Sequence, residues 1–398
     1  MDTALIDLIK HLADTVFSIE ARKCDAQNKF PVNSFEQIKQ HNLQALLIPK
    51  EYGGYGATFK QYQTYLVEIA KGCAATASAF NMHNIVVGSL SGLDLSRLTE
   101  RERSRIFPFI ERIYELVVND KSIFAAATTE PGVGARFSKV RTNYQRTSTG
   151  YLLNGKKSFV TMATYADYYL VLANKLEALD TSDLSHLTYF IVPRNTSGVC
   201  VNENWDTLGM RATGSHEVIF SDVELSTSDV FMNRAGFALN KVMREPHWIT
   251  GGYLGVYLGI MEAAYDFTCQ FLKKRSNYEE TTGLAFQPLI QARLGDMYSL
   301  LHSARLAVFD AADAVDRAPG ADDTNRAIFT AKYIVGETAH RFTSLAIKTC
   351  GGSTIHKMFD LERYHRDSCC GALMPAVSDM CQMYLGKAAL EISEKQIW

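Results

Sequence analysis

The chain has 398 residues, 47% of them hydrophobic, and a formal net charge of -2 at neutral pH. That length buries a large core and divides into two or three domains. The near-neutral charge gives no electrostatic reason to expect nucleic acid or an anionic membrane as partner. No stretch approaches the roughly 18 apolar residues of a membrane span.

The N-terminus carries Asp2, Asp7 and Lys10 within an amphipathic pattern, which is unlike a signal peptide. Eight cysteines are scattered without a CxxC pair, and the adjacent Cys369 and Cys370 suit neither a zinc site nor an ordinary disulfide. Free thiols in a reducing cytoplasm, and no metal, are the expectation.

Residues 1–122 read as helical: Leu5, Leu8, Ile9 and Leu12 recur at helical spacing, Gly53-Gly54-Tyr55-Gly56 breaks the pattern, and helix resumes over 59–71 and 74–89. Residues 123–232 turn β-branched and aromatic. Asn154-Gly155 predicts a type I′ hairpin turn within 152–156, strands are expected at 168–173 and 188–192, and the alternation at 216–220 is followed by Asp222 to Leu225. Residues 233–398 return to long helices, over 255–274, 289–315, 327–349 and 374–393. Helices, then strands, then helices argue for an α+β chain rather than alternating βαβ units.

Four segments carry candidate chemistry. Thr128-Thr129-Glu130-Pro131-Gly132 opens a Gly/Pro loop, either a plain connection or a set of backbone N–H groups for an anion or a polar ring edge. Phe159 and Thr161 stand two apart on an expected strand, so alternation puts them on one face. Arg275 closes a long helix, either offsetting its dipole or gripping a phosphate. Gly351-Gly352 follows another helix, as a C-cap or as a place where backbone approaches a ligand.

Together with Leu208-Gly209-Met210-Arg211 and with Leu361-Glu362-Arg363-Tyr364-His365-Arg366-Asp367, these segments resemble the acyl-CoA dehydrogenase family over nearly the whole chain. The resemblance implies an N-terminal helical domain, a central β-barrel domain and a C-terminal four-helix bundle, with FAD between the last two. It implies a homodimer or homotetramer. It puts Thr128, Thr129, Phe159 and Thr161 along the flavin, and Gly351 and Gly352 by its adenine half. Arg275 falls on its pyrophosphate across a subunit interface. The Leu208–Arg211 segment takes a structural role.

Where that family has Ser-Asp this chain has Ala135-Arg136, which points to an altered substrate contact. Where most members carry a Tyr-Glu-Gly-Thr run whose Glu removes the substrate proton, this chain reads Met374-Pro375-Ala376-Val377. A second lineage carries the Glu on the long helix, at the position of Ile249 here.

Neither residue is competent, so Glu245, then His247, then Asp379 are the candidate bases. Glu245 is expected at a helix start because Pro246 suits the first helical position. The implied activity is FAD-dependent α,β-dehydrogenation of a specialised acyl thioester, on CoA or a carrier protein, with a flavoprotein or oxygen as electron acceptor. The alternatives are a flavin monooxygenase, using His83 or His247, and a catalytically silent flavin-binding protein.

Overall fold

The computed structural model describes residues 3–93, 96, 98–133, 136–179, 183–236, 244–275 and 283–392. The first third is helical: α1 (Thr3–Leu12) runs through one wider turn into α2 (Ser18–Gln27), followed by α3 (Val32–Gln40), α4 (Phe59–Gly72), α5 (Ala74–Ser91) and α6 (Glu100–Val118). Sequence sets the starts of α4 and α6. Thr58 with Gln61, and Thr99 with Glu102, each form a reciprocal capping box that satisfies N–H groups the first turn leaves open.

The middle third is one mixed seven-stranded sheet: β1 (Phe124–Ala127), β2 (Asn143–Arg146), β3 (Gly150–Val160), β4 (Tyr168–Lys175), β5 (Thr188–Pro193), β6 (Val199–Asn202) and β7 (His216–Ser226). The spatial order is β1-β4-β2-β3-β7-β6, with β5 also on β4; β1 and β2 run parallel to β4 and the other pairs are antiparallel.

The expected hairpin at Asn154-Gly155 is absent. Those residues lie inside β3, where Gly155, at φ 146°, marks a register shift against β7. A Cβ there would come within 2.5 Å of Thr142, so the glycine serves close strand approach rather than a turn. The β2–β3 turn falls earlier, closed by Thr147 N–H donating to Gly150 C=O.

The last third holds α7 (Gly252–Lys274), α8 (Pro288–Arg317), α9 (Asp322–Cys350), α10 (Asp360–Ser368) and α11 (Ser378–Ala389). The helix anticipated from Met374 starts only at Ser378, with an extended Val377 before it, because the proline at 375 keeps Met374 out of the α region. The expected end of that helix, Ser393, lies outside the described residues.

The start of α7 is also displaced. Pro246 opens a single 3₁₀ turn (Pro246–Trp248), Glu245 before it is not helical at φ -128°, ψ 65°, and the α-helix proper begins at Gly252. On α7, Gly255 and Gly259 let the helix lie directly on α4: a Cβ at either would meet Leu66 or the Val67 carbonyl at 2.8 Å or less.

One continuous apolar core runs from α1 to α10 through all three regions. Arg366 ties them together. Its guanidinium grips Asp25 of α2 at 2.9 and 2.6 Å and Glu362 at 2.7 and 2.8 Å, and also donates to Leu208 C=O at the base of the sheet. Beside it Asp367 accepts the Met210 N–H at 2.6 Å. Gly209 has to be glycine here, since a Cβ would fall 2.1 Å from the Arg366 carbonyl oxygen. Among the described residues no helix is long and apolar enough to cross a membrane, and all eight cysteines are free thiols.

Candidate functional site

The loop after β1 is locked to the end of β3. Ser158 N–H donates to Thr129 C=O at 2.9 Å, and Lys157 Nζ donates to Thr128 C=O at 3.2 Å and to Glu130 Oε1 at 2.7 Å. Glu130 accepts further from the backbone N–H groups of Arg141 and Thr142. The Lys157 side chain has no exposed surface and Glu130 keeps 4%.

Burial pushes the Lys157 ammonium below the ordinary lysine range, and Glu130 only partly restores it. Burial also pushes the Glu130 carboxyl up, but Lys157 and the backbone donors outweigh that and hold it below its usual value. Both groups stay charged at neutral pH, and the pair fixes the path of residues 128–130. In sequence Glu130 stands in the Gly/Pro loop and Lys157 two residues before Phe159, with no local pattern to pair them. The available signal was one acidic and one basic residue in two segments expected to flank the same ring.

This clamp leaves Phe159 in an unusual state for a large apolar residue. It sits at φ 56°, is 61% exposed, and meets Trp205 edge-on with ring centroids 5.9 Å apart. The strand ends at Val160, so the alternation expected to carry Thr161 onto the same face does not run that far. Thr161 is instead buried, its Oγ1 2.8 Å from Ser215 Oγ, which lies 2.7 Å from Thr213 Oγ1. Thr213 donates to the Met210 carbonyl. Ser215 must then donate to Thr213 and Thr161 to Ser215, which leaves the outward lone pairs of Thr161 as acceptors.

Thr128, half-buried, has its hydroxyl 3.3 Å from Tyr189 Oη. Arg136 is exposed, and Ala135 lies outside the described residues.

A second group forms where α7 and α9 end. Arg275 Nη1 donates to Ser353 Oγ at 2.6 Å, bringing the cation to the turn of Gly351 and Gly352. Gly351 takes φ 90°, and a Cβ at either glycine would meet nothing within 4 Å, so the backbone here is open to approach. Leu284 N–H on the far side donates to Arg275 C=O.

Of the candidate bases, Glu245 and His247 precede the other end of α7, about 34 Å from Arg275 by helical rise, and no hydrogen bond or ion pair joins either to Asp379 among the described residues. Glu245 is half-buried, with its Cγ 3.3 Å from where a Gly320 Cβ would stand, in the α8–α9 turn. His247 is buried edge-on against Phe59 (5.4 Å) and beside Trp248 (5.2 Å). Asp379 is exposed in the first turn of α11, where a carboxylate favours the helix start, and Pro375 is exposed.

His83 is fully buried with both ring nitrogens on backbone. Nδ1 accepts the Phe124 N–H at 3.1 Å, so Nε2–H donates to Gln44 C=O at 2.8 Å. That pairing makes it a packing residue joining α5 to β1.

The strand-end group fits a planar, partly polar ring. It offers an exposed aromatic face at Phe159 and an acceptor at Thr161. Ser158 Oγ is buried with no hydrogen-bond partner among the described residues. The Arg275–Gly352 group fits phosphate and a flat base approaching backbone.

Three family models match in order: acyl-CoA dehydrogenase, N-terminal domain, over residues 2–92; middle domain, over 125–223; and C-terminal domain, over 252–388. The chain is 26% identical to a putative acyl-CoA dehydrogenase, YdbM, of Bacillus subtilis (strain 168), over 97% of this chain and 96% of that protein. It is 26% identical to the 3-(aryl)acrylate reductase of Clostridium sporogenes (strain ATCC 15579), over 96% and 97%. It also superposes with a TM-score of 0.84 on KijD3 in complex with FMN and dTDP-3-amino-2,3,6-trideoxy-4-keto-3-methyl-D-glucose, at 25% identity over 98% and 94% of the two chains.

Proposed function

Because the chain belongs to the acyl-CoA dehydrogenase family, we propose that it is an FAD-dependent oxidoreductase removing hydrogen from the α and β carbons of a specialised acyl thioester. The observation that carries this reading is the clamped loop of Thr128 and Thr129 beside an exposed Phe159 and an acceptor Thr161. A flavin bound there would accept the β-hydrogen as hydride.

The protein's own part is to hold the ring and to take the α-proton. Phe159 would cover one ring face, and Thr161 would accept from an N–H on the ring edge. Arg275, Gly351 and Gly352 would hold the pyrophosphate and adenine of a cofactor in a neighbouring subunit of a homodimer or homotetramer. Arg136, exposed where the family resemblance would set an aspartate, suits a phosphate or acidic group on the substrate or its CoA or carrier arm.

With Pro375 and Ile249 unable to accept a proton, Glu245 is the proposed base and His247 the reserve. Anaerobic addition of CoA and carrier-protein thioesters should bleach the flavin of the native chain. Glu245→Gln should keep the yellow cofactor and lose bleaching by at least 100-fold. Unchanged bleaching in that variant removes Glu245.

The second reading, a monooxygenase, is favoured by the loss of an acid at both usual base positions. KijD3, in complex with FMN and a nucleotide sugar, is a case of this fold with a ligand other than a thioester. Oxygen uptake that depends on a flavin reductant, with no thioester bleaching, would decide for it.

A further inference from the structure

Away from the clamp, three metal-ligating side chains from two helices meet on the bundle surface. His340 lies within α9, while His365 and Cys369 stand one turn apart at the end of α10. Cys369 Sγ is 3.3 Å from His340 Nδ1, and the two imidazoles stack with centroids 4.9 Å apart at 28°. One ligand atom of each residue lies within 4.8 Å of those of the other two.

A tetrahedral zinc ion, with nitrogens at about 2.0–2.1 Å and sulfur at about 2.3 Å, sets its ligands roughly 3.3–3.8 Å apart. The ligand atoms, within 4.8 Å of one another, would have to draw closer on binding. His365 is steadied from behind: its Nδ1 is 3.1 Å from Thr343 Oγ1, which also engages Ser368 Oγ at 2.8 Å and the Ala339 and His340 carbonyls. Outer contacts of this kind fix the orientation of ligating imidazoles.

We propose that His340, His365 and Cys369 bind Zn²⁺ through two imidazole nitrogens and one thiolate, with a fourth position open to water. On binding, the Cys369 S–H proton leaves to solvent and a Zn–S bond forms, with no change of oxidation state. A thiolate with imidazoles selects such a borderline-soft ion over Mg²⁺ or Ca²⁺. The ion would brace α9 against α10 next to Asp367, which holds the sheet through Met210, and just ahead of the segment bearing Pro375. The adjacent cysteines argue against a zinc site in sequence, but only Cys369 is needed, and its partner His340 comes from another helix.

The test uses the full chain, stripped with a chelator and titrated with Zn²⁺ against a chromophoric competitor, with Mg²⁺ as control. The parent should take up one Zn²⁺ per chain, and Zn²⁺ should slow alkylation of Cys369 while leaving the exposed Cys200 unaffected. His340→Ala and Cys369→Ser should each weaken binding at least tenfold. His340 is exposed, so its variant should keep the parental circular dichroism. Failure of the parent to take up zinc stoichiometrically, or parental affinity in either variant, overturns the proposal.

Discussion

A lysine without exposed surface is tolerable at position 157 because a carboxylate meets it at 2.7 Å and two backbone N–H groups satisfy that carboxylate in turn. Removing one partner strands the other charge in a dry place. Lys157→Met should therefore cost about 3–5 kcal/mol of stability, read as a lower urea midpoint, and should weaken flavin retention because Thr128 C=O loses its donor. Glu130→Gln should also destabilise, since Arg141 and Thr142 donate to different carboxylate oxygens and the single amide oxygen keeps only one of them while its NH2 faces the other donor.

Single residues were the least legible level of the sequence. Phe159 and Thr161 were singled out by identity, and the reasoning from strand alternation that put them on one face did not hold. A left-handed residue at 159 and a strand end at 160 break the two-residue period, and neither event has a glycine or proline to announce it. The Asn154-Gly155 pair misled for the opposite reason: glycine permits a positive φ in a turn and in a bulge alike.

Elements were more legible, because a helix core face or a strand pair spreads its signal over many positions. The expected helices at 59–71, 289–315 and 327–349 and strands at 168–173 and 188–192 all formed, each within a few residues of its expected ends. Failures came where local chemistry overrides periodicity, at Met374 before Pro375 and at the short 3₁₀ turn after Glu245.

Contacts between elements were hidden altogether, and His83 shows why. Its buried ring joins α5 to β1, and burial pushes its pKa down to about 4. The unfolded chain binds that proton near pH 6.5 and the folded chain resists it until about 4, so stability is complete above pH 6.5 and is lost as pH falls through the interval. Between pH 6.5 and 5 this loss should reach about 2 kcal/mol. Asp367, which burial pushes up to about 6, works in the opposite sense over part of that range. The comparison is therefore with His83→Asn, which keeps an acceptor for Phe124 N–H without titrating. Its denaturation midpoint should fall less steeply from pH 6.5 to 5 than the parent's, and equal slopes would contradict the assignment.

At the scale of the whole molecule, the residues proposed to hold a dinucleotide gather in two groups. The residues proposed to face the ring sit where β1 and β3 end, while Arg275, Ser353 and the paired glycines gather where α7 and α9 end. The bundle also leaves Leu289, Tyr298 and Leu306 on α8 more than half exposed, with Ile355 and Met358 beyond α9. Apolar side chains of that size on a bundle surface suit burial against another copy. If Arg275 serves the cofactor of a neighbour, Arg275→Gln should lose a charge-assisted phosphate contact worth about 1.5–3 kcal/mol, weakening FAD binding roughly 10- to 100-fold while the oligomer and fold persist. The division between subunits has its own signature. On dilution, the native chain should release FAD over the same concentration range in which its sedimentation shows the oligomer dissociating. Retention of FAD by a dissociated single chain would place Arg275 and the glycine turn outside the cofactor site.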